Sequence, residues 1–372
     1  MEDPASRLYR KTRIVCVSDT HGYTPSEAGF KLPKGDVFIH AGDLTNHGSM
    51  TELRRTIDWI SKADYEVKII VAGNHDITLD PEFYTQHGPK FHKQNLEDPE
   101  KCIELITKTS TPIVFLRHAS TTIRLTKPEG PRTTFTVFGS PYSRFKGDWA
   151  FGYEPEDAYK LWQQIPIATD IVVTHVPPNL PNSPHKERVA VGCEGLYKAL
   201  KKLKPMLVVC GHVHEGRGYH RIRWESSPSD NGFNKEEVMT GDLPPMGSKK
   251  QSLVDLTGKK QRRLDNFSIQ SYADPGLEQT YTPQPGHDCS GIRNASSTLQ
   301  IGRSDKDPMP LVESEERPKR RETCVVNAAI VATSWPHKEG KRFHAPIIVD
   351  LDLPAWDYHI ATGANTATTA GR

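Results

Sequence analysis

The chain has 372 residues, a formal net charge of +2 and 25% charged residues. A balance so close to neutral gives no global electrostatic reason to bind nucleic acid or a membrane surface. The length suits one large catalytic domain or two ordinary ones. Apolar content is 35% and the mean hydropathy is −0.60, which predicts that part of the chain does not build core. The first 13 residues are charged and lack the apolar segment of a secretory leader. No apolar run approaches the length that spans a bilayer. Six scattered cysteines form no C-x-x-C pair, and Cys16 and Cys210, inside apolar runs, read as reduced, buried thiols. The expected compartment is the reducing interior of the cell, the cytoplasm first.

In chain order, a polar lead (1–12) precedes Ile14-Val15-Cys16-Val17, a β-branched run that ends at Ser18-Asp19-Thr20-His21-Gly22. A second run, Asp36-Val37-Phe38-Ile39-His40, ends at Ala41-Gly42-Asp43. Ser49 is a good helix cap, and Leu53, Ile57 and Ile60 are spaced for one apolar face. The run 67–72 ends at Gly73-Asn74-His75-Asp76. A helix is expected over 99–108, then short strands over 113–116, 121–125 and 134–138, close enough in sequence to be antiparallel. Further on, 156–164 reads as a helix, 170–174 as a strand ending at His175, 195–203 as a helix, and 206–210 as a strand ending at Gly211-His212-Val213-His214. Strand, loop and helix in this rhythm mark an α/β protein. Residues 225–323 are rich in Ser, Pro, Gly, Lys and Asp, and a low-complexity, disordered insertion is expected there. The catalytic domain then comprises 13–224 and 324–354, closed by a strand over 345–351, with a polar tail over 355–372.

The residue types just after the apolar runs form one pattern. They are Asp19 with His21, Asp43, Asn74 with His75, His175, and His212 with His214. Ligands of open α/β sheets bind at the carboxyl ends of strands, so five such ends bring these groups into one crevice. In extended backbone, residues two apart point the same way; Asp19 and His21 can converge on one ion, and so can His212 and His214. A mixed nitrogen and oxygen donor set suits Mn, Fe, Zn, Co or Ni, with Mn favoured. So many candidate ligands exceed the need of one ion, and two ions sharing Asp43 account for them. Two such metals clamp a phosphoryl group and activate a water for in-line attack. Any one Asp or His after a strand is more often a turn residue or helix cap; the five together, in order, are not.

These blocks resemble the calcineurin-like metallophosphoesterase superfamily, over about 13–223 and again over about 324–353. Within it the chain is most similar to the metallophosphoesterase-domain-containing (brain-239-like) subgroup, related to class III cyclic-nucleotide phosphodiesterases. The carrying text is Ser18-Asp19-Thr20-His21, Gly35 to Asp43, Gly73-Asn74-His75-Asp76, Thr174-His175-Val176-Pro177-Pro178 and Gly211 to Gly216. The resemblance implies a four-layer α/β/β/α sandwich of two mixed sheets flanked by helices. It implies that Asp19, His21 and His214 hold one metal, that Asn74, His175 and His212 hold the other, and that Asp43 bridges them. His75 then stabilises the transition state or protonates the leaving oxygen, with Asp76 as its orienting carboxylate. Asn74, His75 and Thr45 are the candidate substrate contacts. Protein phosphatases of the superfamily carry Arg-Gly after the second block; here Leu44-Thr45-Asn46-His47-Gly48 follows Asp43. A small phosphodiester is favoured, cyclic nucleotides included. The alternatives are a phosphomonoester of a small metabolite, or a non-catalytic scaffold on the same fold.

Other features weigh less. Arg117 and His118 end a strand and are candidates for phosphate contact. The aromatics of Ser140-Pro141-Tyr142 and Asp148-Trp149-Ala150-Phe151 can stack on a base or fill core. Cys193 opens a helix whose N-terminus can take an anion. The basic clusters Lys259-Lys260-Gln261-Arg262-Arg263 and Arg317-Pro318-Lys319-Arg320-Arg321 read as charged linker ahead of nuclear-import or anion-binding signals.

Overall fold

Short β-branched runs assemble into two sheets that lie face to face. The computed structural model describes residues 9–111, 113–144, 149–181, 192–225, 236–266, 320–333 and 340–356. In chain order the strands are β1 (Tyr9–Val17), β2 (Val37–Ala41), β3 (Val67–Val71), β4 (Ile113–Phe115), β5 (Ala119–Arg124), β6 (Thr134–Ser140), β7 (Ser143–Arg144), β8 (Gly152–Tyr153), β9 (Ile171–Thr174), β10 (Leu207–Cys210), β11 (Gly218–Arg223), β12 (Glu237–Gly241), β13 (Ser252–Asp255), β14 (Glu322–Asn327) and β15 (Ile347–Pro354). One sheet runs β13-β15-β1-β2-β3-β4, the other β12-β11-β14-β10-β9-β6-β5, and β7 pairs with β8 alone.

The strands β1 to β4 are mutually parallel, as are β14, β10, β9 and β6. Parallel strands need cover on both faces, and the apolar runs supply it. In β1, Val15 and Val17 pack with the helices. Ile14 and Cys16 point the other way and are equally buried, toward the second sheet. Three helices cover the first sheet: α1 (Met50–Lys62), α2 (Pro81–His92) and α3 (Pro99–Thr107), through Leu53, Ile57, Tyr84, Cys102 and Ile106. Two cover the second: α4 (Ala158–Trp162) and α5 (Glu194–Leu203), through Trp162, Leu196 and Leu200. The result is the α/β/β/α sandwich that the resemblance implied. Among the described residues no helix is long and apolar enough to cross a membrane.

The cap expected at Ser49 forms, and Glu52 completes it as a capping box. Such a cap contributes about 1 kcal/mol. Helix α2 was not anticipated, because Gly88 and Pro89 interrupt its periodicity; Asp80 capping Phe83 N–H, with Pro81 in the first turn, was the available signal. Strands β5 and β6 are antiparallel as expected, but β4 departs to the other sheet and runs parallel to β3. The lead is shorter than expected, since Tyr9 to Thr12 already pair with β15.

The range 225–323 also departs from its compositional reading. Residues 236–266 are built into the sandwich: β12 extends one sheet beside β11 and β13 extends the other beside β15. Their signal was faint because β12 is largely exposed and β13 has only four residues. The cluster at 259–263 is likewise not free linker. Fully buried Glu322 accepts from Arg221 Nε at 2.7 Å and from Arg262 Nη2 at 2.8 Å, while Arg263 reaches Asp352 at 2.8 Å. A buried acid persists only with such partners. Of the second cluster, Arg320 pairs with Asp170 and donates to Thr169 O at 2.8 Å. Residues 267–319, the tail beyond 356 and Asp148 lie outside the described residues.

Candidate metal centre

Five parallel strands, β1, β2, β3, β9 and β10, deliver their C-terminal loops to one edge of the sandwich. The loops knit together through their backbones. Asp19 N–H donates to Gly42 O at 2.9 Å, His21 N–H to Asp43 O at 3.0 Å, and Gly211 N–H to His175 O at 3.0 Å. Asp19, His21, Asp43 and His212 have φ of 54°, 45°, 54° and 67°, a left-handed geometry that costs side-chain-bearing residues free energy and concentrates at functional sites. Only glycine fits at two floor positions: a Cβ on Gly73 would strike Asp43 Oδ1, and one on Gly211 would strike Asp19 Oδ2.

This geometry revises the spacing argument. The loop from Asp19 to His21 is not extended; its two side chains converge because the backbone turns through left-handed conformations. His212 and His214 do not converge at all. His214 Nε2 lies 3.3 Å from His21 Nε2 and 3.4 Å from Asp19 Oδ1. His212 Nδ1 instead lies 2.9 Å from Asn74 Oδ1 and 3.2 Å from His175 Nε2, and His175 Nε2 is itself 2.9 Å from Asn74 Oδ1. Two donor groups result, Asp19 with His21 and His214, and Asn74 with His175 and His212. Asp43 stands between them, Oδ2 at 3.7 Å from His21 Nε2 and Oδ1 at 3.4 Å from His175 Nε2. The seven residues named from the sequence are thus brought together, and His75 stands with them: one donor atom each of His21, Asp43 and His75 lie within 4.8 Å of one another.

Backbone carbonyls orient three of the imidazoles. His175 Nδ1 donates to Ala41 O at 3.0 Å and His214 Nδ1 to Thr333 O at 3.2 Å, which turns both Nε2 atoms inward. His75 Nδ1 donates to Asn46 O at 2.7 Å, and the His75 backbone N–H donates to Asp43 Oδ1 at 2.9 Å. Its ring stands edge-on to His21, centroids 4.7 Å apart, and packs on Trp149 at 4.0 Å.

Two expected roles change. Asp76 does not orient His75. Its oxygens are fully buried and accept from the N–H groups of Leu44, Thr45 and Gly73 and from the Thr45 hydroxyl, at 2.7–3.1 Å. Asp76 therefore sews the Asp43 loop to the Asn74 loop. Thr45 is not placed for substrate, because its buried hydroxyl serves Asp76 and accepts from Gly48 N–H at 2.9 Å. Asn46 O, the actual orienter of His75, carries no side-chain signature and was invisible in the sequence.

Other candidates fall away from the centre. His118 Nδ1 meets Ser140 Oγ at 3.0 Å, and its ring packs on Phe138, Tyr142 and Trp162. Arg117 is exposed. Cys193 Sγ accepts from Leu196 N–H and Trp162 Nε1, so the thiol caps its own helix. Of the mouth aromatics, Trp149 is the one that reaches the site.

Electrostatics and donor chemistry fit divalent cations. Burial works against charge at Asp19, but the hydrogen bond and charge of His214 hold it down at about 2. Burial likewise opposes Asp43, yet His175 and His75 keep it well below the usual carboxylate range. Burial pushes His21 down to about 3 and His212 to about 4, leaving both neutral, as ligands must be. At His175 burial is outweighed by the charge of Asp43, and the pKa rises to about 9. Like-type donor atoms face one another across 3.2–3.3 Å, and His21 Nδ1 has no protein partner. Two carboxylates, an amide oxygen and four imidazoles gathered in one cluster match the donor set of a mixed-donor cation pair.

Comparison with known proteins adds context. A family model described as calcineurin-like phosphoesterase matches residues 12–216. A protein of Emericella nidulans named "Probable rhamnogalacturonate lyase C" is 36% identical over 57% of this chain, a stretch that is 18% of that protein. Human metallophosphoesterase domain-containing protein 1 is 34% identical over 56% of this chain and 62% of its own length. The chain therefore spans less than two thirds of both relatives. The solved structure of a purple acid phosphatase from yellow lupin (Lupinus luteus) seeds matches 60% of this chain and 40% of that one, at 14% identity and a TM-score of 0.33, too low to carry an argument.

Proposed function

Because the chain belongs to the calcineurin-like phosphoesterase family, we propose that its strand-end cluster hydrolyses small phosphate esters, diesters ahead of monoesters and cyclic nucleotides among them. The observation that carries the reading is Asp43, set between two donor groups at 3.7 Å from His21 and 3.4 Å from His175. Asp19, His21 and His214 are the proposed ligands of one cation, Asn74, His175 and His212 those of the other, and Asp43 is shared. Bound there, two cations supply charge for the phosphoryl oxygens and lower the pKa of the attacking water. Manganese is proposed for the mixed donor set.

The protein's own part is placement and proton transfer. His75 has Nδ1 committed to Asn46 O, so Nε2 is the atom that gives a proton to the departing oxygen. Trp149 packs on that ring and Asp43 holds the His75 backbone at the cluster. The preference for diesters rests on charge. Leu44-Thr45-Asn46-His47-Gly48 contains no arginine, so the loop after Asp43 offers no guanidinium to the phosphoryl group, and a diester brings one negative charge where a monoester brings two. The five described cysteines are unpaired thiols, which supports a reducing compartment as the proposed location.

The test is hydrolysis by manganese-loaded protein of bis-p-nitrophenyl phosphate against p-nitrophenyl phosphate. The diester is expected to turn over faster, and His75→Ala to lower kcat by about 10²–10⁴-fold. Activity unchanged in both His75→Ala and Asp43→Asn would sink the mechanism.

A further inference from the structure

Beside the metal centre lies a groove of about 410 Å³, lined by His47, Ser49, Glu52, Lys90, Phe91 and His92. That volume falls within the range of small-molecule sites. We propose that this groove is a subsite for an aromatic ring, of nucleobase size, carried by the substrate ester; the inference rests on the phosphoesterase reading.

A continuous series of rings connects the groove to the chemistry. His75 packs on Trp149 with centroids 4.0 Å apart. Trp149 in turn meets Phe91 at 5.4 Å and lies nearly parallel to His47 at 6.3 Å. His47 and Phe91 line the groove, 6.3 Å from each other. An ester whose leaving oxygen meets His75 Nε2 has its leaving group directed along Trp149, toward these two rings.

The lining also says what kind of ring is accepted. Glu52, Ser49 and His92 already have partners within the protein. Glu52 accepts from the N–H groups of Asn46, His47 and Ser49, and Ser49 Oγ is its capping partner. His92 Nδ1 meets the Tyr84 hydroxyl at 2.6 Å and Nε2 meets His47 O at 3.1 Å. The ring faces of His47 and Phe91 are what the groove offers a flat ligand, with the Lys90 side chain beside them. Faces stack on any flat ring and read little of its hydrogen-bonding edge. The subsite therefore selects for the presence of a base more than for its identity. Glu52 fixes the 46–49 loop to helix α1 and His92 fixes it to helix α2, so the groove is formed before a ligand arrives, which limits the ordering cost of binding.

Calorimetry on the manganese-loaded full chain tests this with adenosine 5′-monophosphate and ribose 5-phosphate, which differ by the ring. The nucleotide is expected to bind on the order of tenfold tighter, with guanosine and cytidine monophosphates within about threefold of it. Phe91→Leu keeps the apolar volume and removes the ring face, and His47→Ala changes an exposed residue; each should bring the affinity ratio toward one. Equal binding of the two ligands by the wild type, or a ratio unmoved in both variants, overturns the subsite and leaves the phosphoesterase reading standing. If neither ligand nor inorganic phosphate binds, the metal-centre reading falls, and the subsite with it.

Discussion

Replacing Asp76 by alanine should weaken the fold and cation binding together, because this carboxylate holds two loops of the site in register. Its side chain is fully buried. It accepts from Leu44 N–H at 3.1 Å, Thr45 N–H at 2.8 Å, Gly73 N–H at 2.8 Å and Thr45 Oγ1 at 2.7 Å. Alanine removes every acceptor. The Thr45 hydroxyl can turn to His75 O, 3.3 Å away, but three backbone N–H groups are left without partners. Each costs about 1–3 kcal/mol, and a water entering the vacated space holds the total near the lower limit, about 3 kcal/mol. Burial and the neighbouring Asp43 raise the Asp76 carboxyl to about 6, which offsets part of the gain. The sign is that of a raised acid pKa: this term stabilises the metal-free protein below its unfolded value and is lost as pH climbs through 6. At about 2–4 °C per kcal/mol for a domain of this size, the melting temperature should fall by about 6–12 °C at neutral pH. Thermal unfolding in chelator, with manganese uptake measured in parallel, is the assay. A variant melting within about 2 °C of wild type, yet with kcat lost and manganese affinity intact, would refute the stitching role and restore a direct one in catalysis.

Two further outcomes follow from other parts of the molecule. Asn266 Oδ1 accepts from the N–H groups of Arg321 and Glu322 at 3.0 and 2.9 Å, so residues 266 and 321 lie side by side. Replacing 268–316 by a short Gly/Ser linker should shift the melting temperature by less than about 4 °C, whereas deleting 225–323 removes β12, β13 and Glu322 and should unfold the protein; the reverse pattern by circular dichroism would contradict this boundary. Cation uptake should also expel protons. Burial lowers the His175 pKa, but Asp43 raises it to about 9, and Asp19 raises that of His214. A manganese titration at pH 7 in weak buffer should therefore release at least one proton per chain, with affinity rising up to about pH 9 and then levelling. For the metal-free fold the same raised His175 value stabilises below its ordinary 6.5 and fades as pH passes 9. A pH-independent affinity would show that these protons do not occupy the cation positions.

The site was largely legible because its signal is residue type at strand ends. Asp19, Asp43, Asn74, His175 and His212 each follow a buried β-branched run, and such runs announce themselves. Spacing misled where backbone departs from the extended form: the left-handed φ of His212 separates its side chain from that of His214. The roles of Asp76 and Thr45 were not legible, because what distinguishes a stitching carboxylate from an orienting one is which N–H groups lie within 3 Å. The carbonyls of Ala41, Asn46 and Thr333 leave no side-chain trace. In the fold, β12 and β13 escaped because edge strands need only one partner and little apolar content, so a polar composition concealed ordered structure. The Arg221–Glu322–Arg262 grouping shows the same limit, since a basic cluster becomes structural only when its acid lies 60 residues away.

The central claim is that seven residues hold two cations with Asp43 shared between them. Equilibrium dialysis of manganese against the purified chain tests it most directly. Two ions per chain are expected for the wild type, and Asp43→Asn should lose at least one while remaining folded. No ion bound to the wild type, or two retained undiminished by Asp43→Asn, would contradict the account.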